Sequence, residues 1–463
     1  MRSPKTPLPR APRAWTFLGA GLLSLLGGSL LPGCVRTPFQ PVPVLSERAI
    51  AFTGVSVIPM DAERVLEDQT VLVRNGLVTS LGPTDSITLP ADAQRIDGRG
   101  HFLMPGLSDF HVHLQSDEQL LSYLAHGVTT VFELNGSPHA LELRQQVLDN
   151  QRYGPRIYSS SPLVDGGPPG AAVVTVTTPE QARVAVVRQK NAGYDALKVF
   201  DNLSPEVYAV LGAMARQQNL PVVGHVPRLV GVDAVLQAHQ ALISHGEQYF
   251  LSSAQGEADI PRLARDTREA GTAVVPDLVQ IHTVLRMLQD LEGVFQDPES
   301  RYLSPEVLRG WRYSNPTRRM LLAEFTEREQ RVYPLVQHLT LALQREGARL
   351  LLGTNASDAG LFPGESAHQE LAELVAAGLT PYEALSAGTR NAAAFIKERV
   401  DPLSRFGTVA VGQQADLLLL PGNPLEDVGQ ADRALGVMVR GQWLTREQLQ
   451  KLRTQAAKAF PSR

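Results

Sequence analysis

The sequence predicts an α/β protein: a (β/α)8 TIM-like barrel with a small β-sandwich domain assembled from both ends of the chain. Three observations carry that expectation. Short apolar runs alternate with helical stretches through the centre, β-rich runs flank the centre on both sides, and polar residues stand at the C-terminal ends of successive apolar runs. The 463 residues suffice for one large unit and a smaller one.

The first β-rich runs are 51–58, 70–73 and 77–81. Arg74-Asn75-Gly76 supplies the Asn-Gly turn of a hairpin between the last two. A matching pair, 415–420 and 437–444, lies near the other terminus, split by a turn rich in Pro, Gly and Asn. These segments define a small β domain over 47–104 and 405–446, a barrel over 105–400, and a C-terminal helix or tail over 447–463. Within the barrel region the candidate strands are 128–134, 156–160, 196–200, 221–225, 241–245, 273–276 and 349–354, with helices such as 179–192, 205–218 and 365–377 between them. Strand–helix alternation of this kind reads as parallel β/α architecture, and a count near eight favours a closed barrel over an open sheet. No Gly-x-Gly-x-x-Gly follows the first strand, so a dinucleotide-binding fold lacks its main signature.

Composition narrows the function classes. Hydrophobic residues make up 43% and charged residues 19% of the chain, which suits a protein with a full core. The net charge of −4, from 43 basic and 47 acidic residues, argues against a nucleic-acid binder. The first forty residues differ from the rest: Arg2, Lys5, Arg10 and Arg13 precede a stretch, Trp15 to Leu31, that is apolar or small throughout. Charge first and apolar second is the order of a signal peptide, with an N-terminal membrane anchor as the alternative. Leu31-Pro32-Gly33-Cys34 follows, and Cys34 is the single cysteine, so it forms no internal disulfide.

This segment resembles the lipobox of bacterial lipoproteins, with Pro32 a departure. The resemblance implies a signal peptide over 1–33, lipidation of Cys34, and a tether over 34–46 that three prolines keep extended. Val35 offers no aspartate retention signal, which implies export to the outer membrane, facing the periplasm or the surface.

His111-Val112-His113 follows an apolar run. Residues two apart on a strand share a face, so both imidazoles project together and offer a chelate for zinc or a similar cation. Alone, such a pair also reads as two hydrogen-bonded surface histidines. Support comes from other strand ends: Lys198 lies within the apolar run 196–200, His225 ends 221–225, and His245 ends 241–245. A lysine there is costly unless paired or neutralised, and barrel enzymes carry their reacting groups at the C-terminal ends of strands.

The stretches "MPGLSDFHVHL", "AGYDALKVFDNLSPEV", "PVVGHVPR", "ISHGEQYF", "LLLGTNASDAGLFPGESAHQEL" and "GLTPYEALSAGTRNAA" resemble the amidohydrolase superfamily, in its imidazolonepropionase-like and prolidase-like branch. The likeness runs from about residue 49 to about residue 445. It implies one or two divalent metal ions, Zn2+ foremost, with His111 and His113 on the more buried ion, His225 and His245 on the second, and Lys198 bridging them as a carbamate. It further implies a fifth ligand, an aspartate at the end of the eighth strand, which receives the proton as a metal-activated hydroxide attacks a carbonyl.

This chain departs from that pattern: the matching residue is Asn355, which cannot serve as a base at neutral pH. Three readings stay open, namely impaired hydrolysis, Asp358 as substitute base, and a different base or register. Arg228, Tyr249 and His368 are candidates for lining the substrate cleft, each with an ordinary surface or packing role as the alternative. Glu247 can orient an imidazole, His126 and His239 read as structural, and the insert-like stretch 288–319, with Arg301, Tyr302, Trp311, Arg312 and Tyr313, can wall the site.

Two classes of function therefore compete. One is a lipid-anchored metal-dependent hydrolase of a C–N bond in a dipeptide, cyclic amide or other small molecule. The other is a catalytically impaired binding or scaffold protein on the same fold. Deamination of a cyclic substrate is a third possibility on the same site. Nothing in the sequence specifies an oligomer.

Overall fold

The computed structural model describes residues 48–170, 172–251, 256–314, 323–458 and 460, and the statements below refer to these. The N-terminal leader, Cys34 and the tether lie outside them. No helix among the described residues is long and apolar enough to cross a membrane.

In chain order the strands begin with β1 (Ile50–Val57), β2 (Leu66–Arg74), β3 (Leu77–Pro83), β4 (Gln94–Asp97) and β5 (Phe102–Pro105). Next come β6 (Leu107–Val112), β7 (Val128–Glu133), β8 (Arg156–Ser159), β9 (Leu163–Asp165) and β10 (Val173–Thr175). The rest are β11 (Leu197–Val199), β12 (Val222–Gly224), β13 (Leu242–Ser244), β14 (Ala273–Val275), β15 (Leu417–Leu420), β16 (Gly436–Val439) and β17 (Gln442–Thr445).

Strands from both ends of the chain share one sheet in the order β17-β16-β15-β5-β1-β2-β3, with β4 also on β1. The junction is β15 running antiparallel to β5, Leu417 opposite Pro105. The expected sandwich is corrected here to a single curled sheet. Its cause is non-local: β1 pairs with β4 through Ile50–Thr53 and with β5 through Ser56 and Val57, so hydrogen bonding continues along one edge where a sandwich would break. The tip of β3 then returns to the segment before β15, with Val78 N–H donating to Gln413 O at 2.9 Å. This roll encloses Phe52, Val57, Val71, Leu103, Leu417 and Met438 in one apolar cluster.

The central region is a TIM-barrel-like α/β arrangement. β6, β7 and β8 pair in parallel, and a bridge between Ser160 and Ala196 leads on towards β11. β11, β12, β13 and β14 continue in parallel. A Val274–Leu350 bridge reaches the expected eighth strand, 349–354, and a Val112–Ala356 bridge returns to β6. That eighth segment is bonded on both sides, by Leu351 N–H to Val274 O (2.9 Å) and Phe110 N–H to Leu352 O (2.8 Å), yet forms no regular strand. Gly353 is needed in it, because a Cβ there would come within 2.4 Å of Val275 and 3.0 Å of the His111 Cβ.

β6 and β7 are buried at every position, as parallel strands covered on both faces are. The helices around them follow from local signals. Ser204 caps Pro205–Gln217 by accepting from the Val207 N–H at 3.3 Å, with Pro at the first turn. Thr178 and Gln181 form a capping box on Pro179–Asn191. Val207, Leu211 and Ala215 bury one face of the first of these helices at four-residue spacing. Phe110, Phe132, Val223, Val275 and Leu351, from positions around the ring, form one apolar cluster with Phe395. Truncating any of its phenylalanines costs roughly 3–5 kcal/mol.

Candidate metal centre

The strand ends bring the predicted histidines together. His111 lies on β6 and His113 just beyond it, His225 follows β12, and His245 follows β13. Their rings form a continuous series: His113 to His111 at 5.3 Å between centroids, His111 to His245 at 4.6 Å, and His245 to His225 at 4.9 Å. Lys198, on β11, is buried and donates to Ser244 Oγ at 3.2 Å. Room for its side chain comes from Gly224, where a Cβ would meet Lys198 Cδ at 2.7 Å and Val199 O at 2.5 Å.

Each imidazole has a carboxylate at its Nδ1. Asp277 stands 2.7 Å from His111, Asp201 2.7 Å from His225, and Glu133 3.5 Å from His113. His245 Nδ1 lies 3.1 Å from Asp277 and 3.9 Å from Glu247. Asp201, bonded to His225 Nδ1, fixes the tautomer and orientation of that imidazole and leaves its other nitrogen free to bind, whereas Asp277 stands between His111 and His245, with ligand atoms of all three within reach of one cation. Glu133 is itself fixed by accepting from the backbone N–H groups of Leu114 and Asn135. Asp201 is held by Arg228, whose Nη2 donates to it at 2.9 Å. Arg228 thus acts here through Asp201, its guanidinium otherwise facing solvent.

The electrostatics favour neutral imidazoles at His111, His225 and His245. Burial, reinforced by the charge of Lys198 and of neighbouring histidines, pushes His111 and His245 well below the usual histidine range, although Asp277 opposes this at His245. His225 is also lowered by burial, against the pull of Asp201. His113 goes the other way: burial opposes its charge, but Glu133 and Asp358 outweigh it. Burial brings the Lys198 amine down to about 8 despite Asp277, Glu133 and Asp201. Neutral imidazoles and a partly neutral amine are the forms that ligate cations and react with electrophiles.

Asn355 and Asp358 lie on the turn after the eighth segment. Asn355 Nδ2 donates to Asp358 Oδ2 at 3.0 Å, and Asn355 N–H donates to His111 O at 2.7 Å. Asp358 is open to solvent, yet the protein packed about its carboxyl desolvates it and raises it despite His113 and Asn355. Trp311, from the insert, is buried and closes this turn from outside by donating to Ser357 O at 3.1 Å.

Two sequence candidates for the cleft are corrected. Tyr249 is fully buried, its hydroxyl 2.9 Å from Thr267 Oγ1, because the short helix after β13 turns it into the core. His368 joins His126 and Asp432 in a separate group, with its Nε2 2.7 Å from the His126 carbonyl oxygen. Its helix, Glu365–Ala376, presents that face to the end of the helix Gln119–Ala125. Tyr302 is likewise buried, under the Arg453 guanidinium at 3.8 Å.

Asp277, Asp201 and Glu133 were missed in the sequence. Each stands at the C-terminal end of a barrel strand or within two residues of it, so a search of strand ends for acids as well as histidines would have found them.

The residues fit a divalent cation. Nitrogen and oxygen donors converge, and Asp277 Oδ1 and Asn355 Oδ1 are buried without a hydrogen-bond partner. His111, His245 and Asp277 bring ligand atoms within 4.8 Å of one another. Such a donor set suits Zn2+ and related ions.

Known proteins agree with this reading of the fold. The bottromycin amidohydrolase structure superposes with a TM-score of 0.71 at 25% identity, covering 89% of this chain and 90% of that one. A Bifidobacterium longum protein assigned as a prolidase gives 0.69 at 26% identity, covering 89% and 99%. An adenine deaminase of Ruegeria sp. is 29% identical over 89 residues, which is 18% of this chain and only 14% of that protein. Residues 102–444 match the amidohydrolase family as a whole, and the chain belongs to that family.

Proposed function

We propose that this protein is a metal-dependent hydrolase of a C–N bond in a small substrate, a dipeptide or a cyclic amide. The observation that carries the reading is the series of four imidazoles, each with a carboxylate at Nδ1, around the buried Lys198. The prolidase assignment of a 26%-identical protein matched over 99% of its length supports the substrate class. When bound, a divalent ion supplies Lewis acidity for the carbonyl and for water.

His111, His113, His225 and His245 would hold one or two ions, most readily Zn2+. Lys198 would join them as a carbamate, a form its lowered amine favours. Asp358 would receive the proton on its carboxylate: Asn355 fixes Oδ2 through its amide and leaves Oδ1 available. Trp311 and its neighbours would wall the substrate cleft. The charged-then-apolar leader ahead of Cys34 supports the further proposal that the enzyme is exported and anchored by lipid in the outer membrane.

One observation favours a second reading. The strand-eight position holds an amide, bonded to the one acid beside it, as expected of a binding protein that has lost turnover. A panel of dipeptides and cyclic amides, assayed for free amino acid and for ammonia after metal reconstitution, separates the two. Hydrolysis by the native chain that falls at least about 100-fold in Asp358→Ala supports the first. Activity seen only in Asn355→Asp would establish the second, and ammonia as the sole product would point to deamination.

A further inference from the structure

Asp277 stands where an aspartate ordinarily has a local task. It is the residue before the helix Leu278–Gln289, the position from which Asp side chains cap a helix by accepting its first N–H groups. Asp277 makes no such bond. Glu370, fully buried on a neighbouring helix, accepts the Val279 N–H at 2.6 Å instead. Capping of this helix has thus passed to a residue far along the chain, and the Asp277 carboxylate is free to face inward.

Its backbone is set for that. Asp277 has a φ of 53°, and His245 and Asn355, at neighbouring strand ends, are left-handed too, at 67° and 62°. Such conformations cost of order 1–3 kcal/mol each and gather where a site needs them. The side chain is wholly buried, with Oδ2 against His111 Nδ1 (2.7 Å) and His245 Nδ1 (3.1 Å) and accepting the His245 backbone N–H (3.1 Å), while Oδ1 has no partner. A buried carboxylate between two imidazoles, with an oxygen left unbonded, is expensive unless something cationic completes it.

Asn355 presents the complementary gap. It occupies the strand-eight position without a charge, and its amide nitrogen is already engaged by Asp358. We propose that the anionic ligand of the centre has moved to the adjacent strand end: Asp277, with His111 and His245, binds one divalent ion in the role that a strand-eight aspartate would otherwise fill. The inference rests on the metal-centre reading and adds to it which carboxylate holds the ion.

The test uses the full-length chain, stripped with a chelator and titrated with Co2+, read by bound cobalt per protein and by the visible spectrum. The native protein should bind cobalt. Asp277→Asn, checked for folding by its melting curve, should lose well over about 100-fold in affinity for one equivalent, above the roughly 10–100-fold typical of groups that only orient a ligand, and its spectrum should shift. Asn355→Asp should keep the native affinity within a few-fold, and adding it to Asp277→Asn should recover much of the loss. If Asp277→Asn does not fold, Asp277→Glu answers the same question, since a longer ligand arm must change the cobalt spectrum.

Native stoichiometry and spectrum in folded Asp277→Asn, or in Asp277→Glu, would overturn the inference while leaving the metal centre standing. Weaker binding with an unchanged spectrum would also overturn it, by making Asp277 only an orienting group. A native protein that takes up no cobalt would instead overturn the metal reading.

Discussion

Two groups in this molecule each combine a pair of histidines with an aspartate, and they behave in opposite ways. At the strand ends, His111 and His245 share Asp277. Burial and neighbouring positive charge keep both imidazoles neutral there, with nitrogen lone pairs to offer. In the second group, His126, His368 and Asp432 sit among further charges. Burial opposes the charge on His126, yet Asp432 and Glu299 outweigh it and raise the imidazole. Arg453 already pairs with Glu299, and His368 Nε2 is engaged by the His126 carbonyl. The carboxylates are therefore answered by the protein's own cations, and the second group ties the insert, the C-terminal helix and the barrel together. Similar residues make a candidate ligand set where the imidazoles stay neutral, and an ion-pair network where the carboxylates are already paired with the protein's own cations.

The contrast can be broken most severely by removing a ligand. His245→Ala should weaken metal binding on the order of 100-fold or more, measured by competition with a chromophoric chelator. If affinity stays native, the ring series is not the metal site. Asp201→Asn should weaken it by roughly 10–100-fold, through the orientation of His225 alone. A loss as large as that of His245→Ala would mean that Asp201 itself touches the ion.

On the other side, His126→Ala should leave metal binding native and lower stability by about 1–2 kcal/mol, a figure kept small because Asp432 is half open to solvent. Urea unfolding reads this directly, and a loss of metal binding would erase the distinction between the groups.

The smallest effect is its pH dependence. A raised histidine gives stability that is full below its ordinary value of 6.5 and is lost as pH rises through its higher folded value. The lowered carboxylates of Asp432 and Glu299 give stability that is full above their ordinary values of 3.8 and 4.5 and is lost as pH falls through their lower folded values. His368 and Glu365 also face this cluster, held towards their neutral forms by burial. The difference in unfolding free energy between native protein and His126→Ala should therefore be greatest between roughly pH 4.5 and 6.5. A difference that is flat with pH would show that His126 contributes packing alone.

Much of the strand-end group was legible because its signal is local. The His-x-His spacing on one strand, and single polar residues ending apolar runs, follow from the two-residue period and the polarity of barrel strands. Asp277 was not legible, since before a helix an aspartate reads as a cap, and only the distant Glu370 reveals otherwise. Tyr249 misled for the same reason: its burial is decided by how the short helix after β13 meets Thr267. The sandwich became one curled sheet because β1 takes two partners along one edge, a pairing between distant segments that no hairpin signal encodes.

The most direct measurement is an anomalous-scattering crystal structure of the full chain reconstituted with Co2+ or Zn2+. A peak among His111, His113, His225 and His245, with an Asp277 oxygen about 2.0–2.2 Å away and Asn355 not supplying the charge, is the expected result. Density at His126, His368 and Asp432, or none at the strand ends, would contradict it.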